Sequence, residues 1–129
     1  MNPVRAVVLQ QEAVEREVWD DPTKGSLSFR TLFSREASGT NTLTTGVADL
    51  GPGEWLGRHR HDSTEVYYLI EGRGVVMLDG IEHPVSAGSS VFIPGGTEHG
   101  IRNVDAAAPL RFFYVFAVDS FEDVEYRFS

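Results

Sequence analysis

His59 and His61 stand one residue apart, Glu65 follows shortly after, and His99 lies further along the chain. Imidazole nitrogens and carboxylate oxygens are ligands for divalent transition metals. The chain has no cysteine, so any metal it binds is held by nitrogen and oxygen alone. Alternate side chains of a strand share a face, so His59 and His61 point the same way, about 7 Å apart along the strand. Asp62-Ser63-Thr64 is turn chemistry, and Glu65 opens the next strand. Antiparallel pairing would bring its carboxylate beside the two imidazoles. Pro94-Gly95-Gly96 forces a turn before His99, and a curved, closed sheet would carry that distant strand to the same interior point. A single histidine on a strand is ordinarily a surface residue or a satisfied core residue. Here three of the four histidines fall in one constellation with a carboxylate. Burying that set would be costly without a cation or hydrogen-bond partners. The expected ligand set is therefore His59, His61, Glu65 and His99, for one divalent ion. His83 falls outside it, as a solvent-side residue of a hairpin.

The elements that must position these residues are strands. Thr42–Leu50, Trp55–His61, Glu65–Glu71, Ser90–Ile93, His99–Val104 and Leu110–Val118 carry β-type runs between Gly, Pro and Asp turns. Ser26–Ser34 reads the same way, Val4–Leu9 is a short β-prone run, and Val124–Phe128 closes the set. Asp79-Gly80 between Val75–Leu78 and Ile81–Val85 is a strong two-residue hairpin signal. Gln11–Asp20 is polar, one helical turn or a loop, and Arg35–Asn41 is a loop. Roughly ten short strands without a long amphipathic helix predict an all-β sandwich or barrel. With 129 residues and no linker or low-complexity tract, residues 1–129 are expected to form one domain.

Charge narrows the partners. A net charge of −8 argues against nucleic acid or an anionic membrane surface, both of which want clustered Lys and Arg. No apolar run is long enough to span a membrane. Met1–Gln10 lacks a basic region followed by an apolar run and a small-residue cleavage site, so the expected location is the cytoplasm.

The two histidine segments resemble the cupin superfamily. Gly53, His59, His61, Glu65 and Gly72 match every fixed position of its first motif, G-x5-H-x-H-x3-E-x6-G, at 53–72. Gly88, Pro94, Gly96, His99 and Asn103 match every position of its second, G-x5-P-x-G-x2-H-x3-N, at 88–103. The intervening Arg73–Ala87 has the length of compact single-domain cupins. The resemblance implies a double-stranded β-helix, or jelly-roll, barrel with a metal on His59, His61, Glu65 and His99. It also implies a homodimer formed through sheets and exchanged N-terminal strands.

A site of three imidazoles and one carboxylate suits Fe, Mn, Ni, Co or Zn as the divalent ion. In an octahedral site it leaves two positions for a small anion, expected to be a carboxylate or carbonyl compound. By strand parity Tyr67 and Leu69 face inward with Glu65, while Val66, Tyr68 and Ile70 face out. Trp55 and Gly57 are expected to share the face of His59, and Ile101 and Asn103 that of His99. Arg58 and Arg60 have the opposite parity and are expected to face solvent or a partner. Arg111 sits in an aromatic strand whose inward register the sequence leaves open. Glu98 is a rim acid or a solvated loop charge.

The pocket is thus expected to be largely apolar, with a tyrosine beside the metal. Tyr67 is either a core aromatic with a satisfied hydroxyl or a catalytic base removing a proton alpha to a carboxylate. The Glu65-Val66-Tyr67 step looks like that of the cupin-type dimethylsulfoniopropionate lyases, as do the Trp19–Asp21 segment and the Phe112–Phe128 stretch. The site suits a metal-dependent lyase or isomerase, acting by elimination or isomerisation; the resemblance implies β-elimination to dimethyl sulfide and acrylate with Tyr67 as the base. Two other functions remain open at this stage: an Fe(II)-dependent dioxygenase, and a non-catalytic barrel binding a sugar or osmolyte. The fold supports all three.

Overall fold

The structure, a computed structural model, describes residues 4–129. Residues 1–3, part of the segment read for a targeting signal, lie outside the described residues.

Along the chain, a 3-10 turn at Gln11–Ala13 precedes β1 (Glu17–Val18) and β2 (Ser28–Phe33). A single helical turn, α1 (Arg35–Ser38), follows, capped by the Ser34 hydroxyl accepting from the Ala37 amide at 2.9 Å. Then come β3 (Thr44–Leu50), β4 (Trp55–Arg60), β5 (Glu65–Glu71), β6 (Arg73–Leu78), β7 (Ile81–Ser86), β8 (Ser90–Ile93), β9 (His99–Asn103) and β10 (Leu110–Phe116). A second 3-10 turn at Phe121–Asp123 leads to β11 (Arg127–Phe128). Among the described residues the Val4–Leu9 run forms no strand, contrary to expectation. Its β-prone residues find no neighbouring strand to take their N–H and C=O groups, and Val8 is 94% exposed.

Two antiparallel sheets face each other. One runs β1-β2-β3-β10-β5-β8, the other β11-β4-β9-β6-β7. This is the jelly-roll barrel that the two motifs imply. The β6–β7 hairpin turns on Asp79 and Gly80, both at positive φ (47° and 82°), the geometry of a type I′ turn. Phe112, Tyr114 and Phe116 of β10 point inward and are buried, which fixes the register that the sequence leaves open. Arg111 therefore faces out and pairs with Asp49 across β3 at 2.6 Å.

The core runs between the sheets. Leu50, Leu69, Ile93 and Leu110 are fully buried, each contributing about 1.5–3 kcal/mol of hydrophobic stabilisation. In the six-stranded wall β3 and β10 are neighbours, with Tyr114 directly across from Gly46. A Cβ on Gly46 would stand 2.2 Å from the Tyr114 hydroxyl and 2.6 Å from the Arg30 carbonyl oxygen. Only glycine lets the Tyr114 ring cross this wall. Asn103 ends β9 fully inside. Its Nδ2 donates to the carbonyls of Leu50, Gly51 and Ala108 at 2.9–3.1 Å, and its Oδ1 accepts from the Asp105 amide. One side chain thereby ties together the β3–β4 and β9–β10 loops.

Candidate metal centre and adjoining cavity

β4 carries the first two histidines, but not with simple alternation. Its pairing with β9 matches Leu56 to Ile101 and His59 to His99, with a bulge between. The extra residue lets Leu56 and His59 both face inward despite their opposite parity. Trp55, expected beside the histidines, is turned out instead and is 38% exposed. Gly57 is likewise diverted and donates its amide to the Lys24 carbonyl at 2.7 Å. The expectation for Trp55 and Gly57 is corrected by this bulge. Beyond it the parity is as expected, with His59 and His61 buried and Arg58 and Arg60 exposed.

The structure brings His59, His61 and His99 together. Their ligand-capable nitrogens lie within 4.8 Å of one another, and all three rings are buried. Glu65, on the neighbouring sheet, places Oε1 3.2 Å from His61 Nε2 and 3.3 Å from His99 Nε2. Each imidazole is oriented from behind. His59 Nδ1 donates to the Gly57 carbonyl at 2.7 Å, His61 Nδ1 to that of Ser63 at 2.9 Å, and His99 Nδ1 to that of Thr97 at 2.8 Å. A carbonyl only accepts, so the proton of each neutral ring sits on Nδ1 and the Nε2 lone pair is turned inward. Burial, then repulsion from His99, pushes the His59 imidazole down to about 3, so it is neutral near pH 7. His59 Nε2 has no hydrogen-bond partner at all. Three ring nitrogens and a carboxylate oxygen thus converge on one buried point. Without a positive charge this arrangement is costly, and the donor set fits a divalent transition metal.

His83 lies outside the cluster and is exposed, as expected. Glu98 is half-buried at the barrel rim, paired with Arg60 at 3.7 Å and bonded to the Ser129 hydroxyl. Tyr67 is 1% exposed, with its ring centroid 6.4 Å from that of His99. Burial, followed by the charge of Glu65, pushes its phenol well above the usual value, so the hydroxyl is protonated.

Tyr126 is the residue that sequence reasoning missed. Its ring lies 4.9 Å from His59 and 5.3 Å from His61. β11 pairs Arg127 with Arg60 and Phe128 with His59, and the Ser129 amide donates to Arg58. These bonds fasten the C-terminal segment across β4 and set Tyr126 and Phe128 against the histidines. The signal was the alternation Tyr126-Arg127-Phe128, which puts both rings on one face.

Beside the histidines opens a cavity of about 760 Å³, walled by Tyr67, Phe112, Tyr114, Phe121, Tyr126 and Trp19 among others. The expected apolar lining is present, but the mouth is ringed by Glu17, Asp20, Glu36 and Glu122. No helix among the described residues is long and apolar enough to cross a membrane.

Comparison with known proteins agrees with this architecture. A family model for the cupin domain matches residues 46–116. Dimethylsulfoniopropionate lyase DddW of Ruegeria pomeroyi is 43% identical over 109 residues, covering 84% of this chain and 70% of that protein. A predicted oxalate decarboxylase of Thermotoga maritima superposes with a TM-score of 0.77 at 27% identity, over 87% of this chain and 99% of the other. The polyketide cyclase RemF of Streptomyces resistomycificus shares the fold, with a TM-score of 0.82 at 21% identity over 96% and 85% of the two chains. With both motifs folded into one barrel and the family model spanning its middle strands, this chain belongs to the cupin family.

Proposed function

We propose that this chain is an enzyme that holds one divalent transition-metal ion on His59, His61, Glu65 and His99 and cleaves dimethylsulfoniopropionate by β-elimination. The observation that carries the metal is the convergence of three ring nitrogens and a carboxylate oxygen on one buried point, with His59 Nε2 unpartnered. The choice of reaction is supported by 43% identity to DddW across 84% of the chain.

When bound, the ion supplies positive charge that polarises a substrate carboxylate and lowers the pKa of a neighbouring phenol. The chain's own residues do the rest. Carbonyls of Gly57, Ser63 and Thr97 hold the three rings in the ligating orientation. Tyr67 and Phe112, which line the cavity, keep water away from the reacting carbons. Tyr67 takes the proton alpha to the carboxylate. The electron pair left behind becomes the new C=C bond as the C–S bond breaks. Dimethyl sulfide departs with the C–S pair, leaving acrylate.

We read residues 1–129 as one domain, and the assembly as a homodimer. The outward-facing Tyr68, Ile70 and Phe92, 49%, 46% and 66% exposed on the paired strands β5 and β8, support the second reading.

The test is anaerobic incubation of the metal-loaded protein with dimethylsulfoniopropionate. Equimolar dimethyl sulfide and acrylate are expected. Tyr67→Phe should lower the rate by about 10²-fold or more while metal content is unchanged. No product with any of the five candidate metals, or product only with stoichiometric oxygen uptake, overturns the lyase reading.

A further inference from the structure

The cavity beside the histidines has two chemically unlike parts. One part is Glu65 and Tyr67, next to the histidine cluster. The other is a wall of rings leading outward. Tyr126 packs on Trp19 with centroids 5.4 Å apart, and Phe121 packs on Tyr114 at 5.8 Å. All four line the cavity. Tyr114 is 4% exposed, and its hydroxyl has no hydrogen-bond partner. Glu17, Asp20 and Glu122 stand at the mouth and form no ion pair among the described residues, while Glu36 is paired with Arg35.

Among the described residues, no Lys or Arg lines this cavity. That absence constrains the occupant. A carboxylate at the histidine end would sit in the positive field of the cation. A second anionic group on the same molecule would meet only aromatic faces and carboxylates, both of which repel negative charge. A neutral alkyl group would be accepted by the rings but would gain nothing from the acids. A cation gains from both, since ring faces attract positive charge and rim carboxylates add their potential. A methylated onium group suits such walls best. It carries permanent charge without N–H donors, so it loses no hydrogen bond on leaving water for rings.

We propose that Trp19, Tyr126, Phe121 and Tyr114, with the rim carboxylates Glu17, Asp20 and Glu122, form a subsite for a methylated onium head. The protein then selects a zwitterion, a carboxylate on a short chain bearing a permanent cation, over neutral acids and over dianions. This rests on the proposed function only for the end at which the carboxylate lies. The roles of Trp19, Tyr126 and the rim acids follow from the cavity itself.

The test uses two non-cleaved ligands of one shape, 3-(trimethylammonio)propanoate and 4,4-dimethylpentanoate, which differ in a cationic nitrogen against a neutral carbon. Calorimetric titration into the full-length, metal-loaded protein should give roughly tenfold tighter binding of the ammonium ligand. Succinate, which carries a second carboxylate where the other two carry the trimethyl head, should bind more weakly than either. Trp19→Leu should bring the ammonium-to-neutral ratio toward one. The exposed pair Glu17→Gln with Glu122→Gln, which leaves the core untouched, should lower the ratio and flatten its dependence on salt. Equal affinity for the two isosteres, tighter binding of succinate, or a ratio unmoved by both the Trp19 and the rim variants overturns the subsite. Retained preference for the ammonium ligand in a protein that cleaves no dimethylsulfoniopropionate sinks the lyase reading and leaves the subsite standing.

Discussion

Asn103 and the three clustered histidines illustrate one economy: a buried polar side chain is tolerated where every atom has a partner. Asn103 meets that condition within the chain, through three carbonyls and one amide. Asn103→Ala strands those groups in a buried setting, and a loss of about 2–4 kcal/mol is expected in urea unfolding. Asn103→Asp would remove the donors while keeping the shape, and should cost at least as much. The histidines meet it only halfway. Their Nδ1 protons are satisfied, but their Nε2 atoms face one another and Glu65. Gly46 is a residue chosen for what it lacks. Gly46→Ala drives a methyl into the Tyr114 ring and the Arg30 carbonyl, and about 1–3 kcal/mol or more should be lost, read as a lowered melting temperature.

At the scale of elements, period-two alternation made most of the site legible in advance. It places Glu65, Tyr67 and Leu69 on one face of β5, and that face is the buried one. It failed at β4, where one inserted residue between Leu56 and His59 reverses the parity and turns Trp55 outward. Bulges follow from pairing with a distant strand, so nothing local announces them. Tyr126 escaped for a related reason. Its position depends on a two-residue strand that pairs with β4, far away in sequence. Val4–Leu9 shows the converse, a β-prone run for which the fold offers no partner. β10 supplies a further test. Burial pushes the Tyr114 phenol far above its usual value, so the folded protein keeps that proton while the unfolded chain releases it above about pH 10. This stabilisation is complete below pH 10 and is lost as pH rises past it. Melting temperature should fall from about pH 10 upward, with tyrosinate absorbance rising together with unfolding. A melting temperature unchanged from pH 9 to 12 would contradict this burial.

At the scale of the molecule, two sheets whose strands alternate along the chain bring three imidazoles and one carboxylate to one point. β4 and β9 of the five-stranded sheet carry the histidines, and β5 of the six-stranded sheet carries the glutamate. The barrel and the cluster therefore stand or fall together only if an ion joins the sheets. Removing the ion with a chelator should lower the melting temperature of the wild type and leave a His59→Ala, His99→Ala double variant unaffected. The outer face of β5 and β8 is where the proposed homodimer would form. Phe92→Lys should shift a homodimer to monomer in analytical ultracentrifugation without changing secondary structure. Metal content is the most direct measure of the central claim. Elemental analysis of the purified wild type should find close to one divalent transition-metal ion per chain, and of the folded double variant essentially none. An equal, tightly held metal content in both proteins would contradict it.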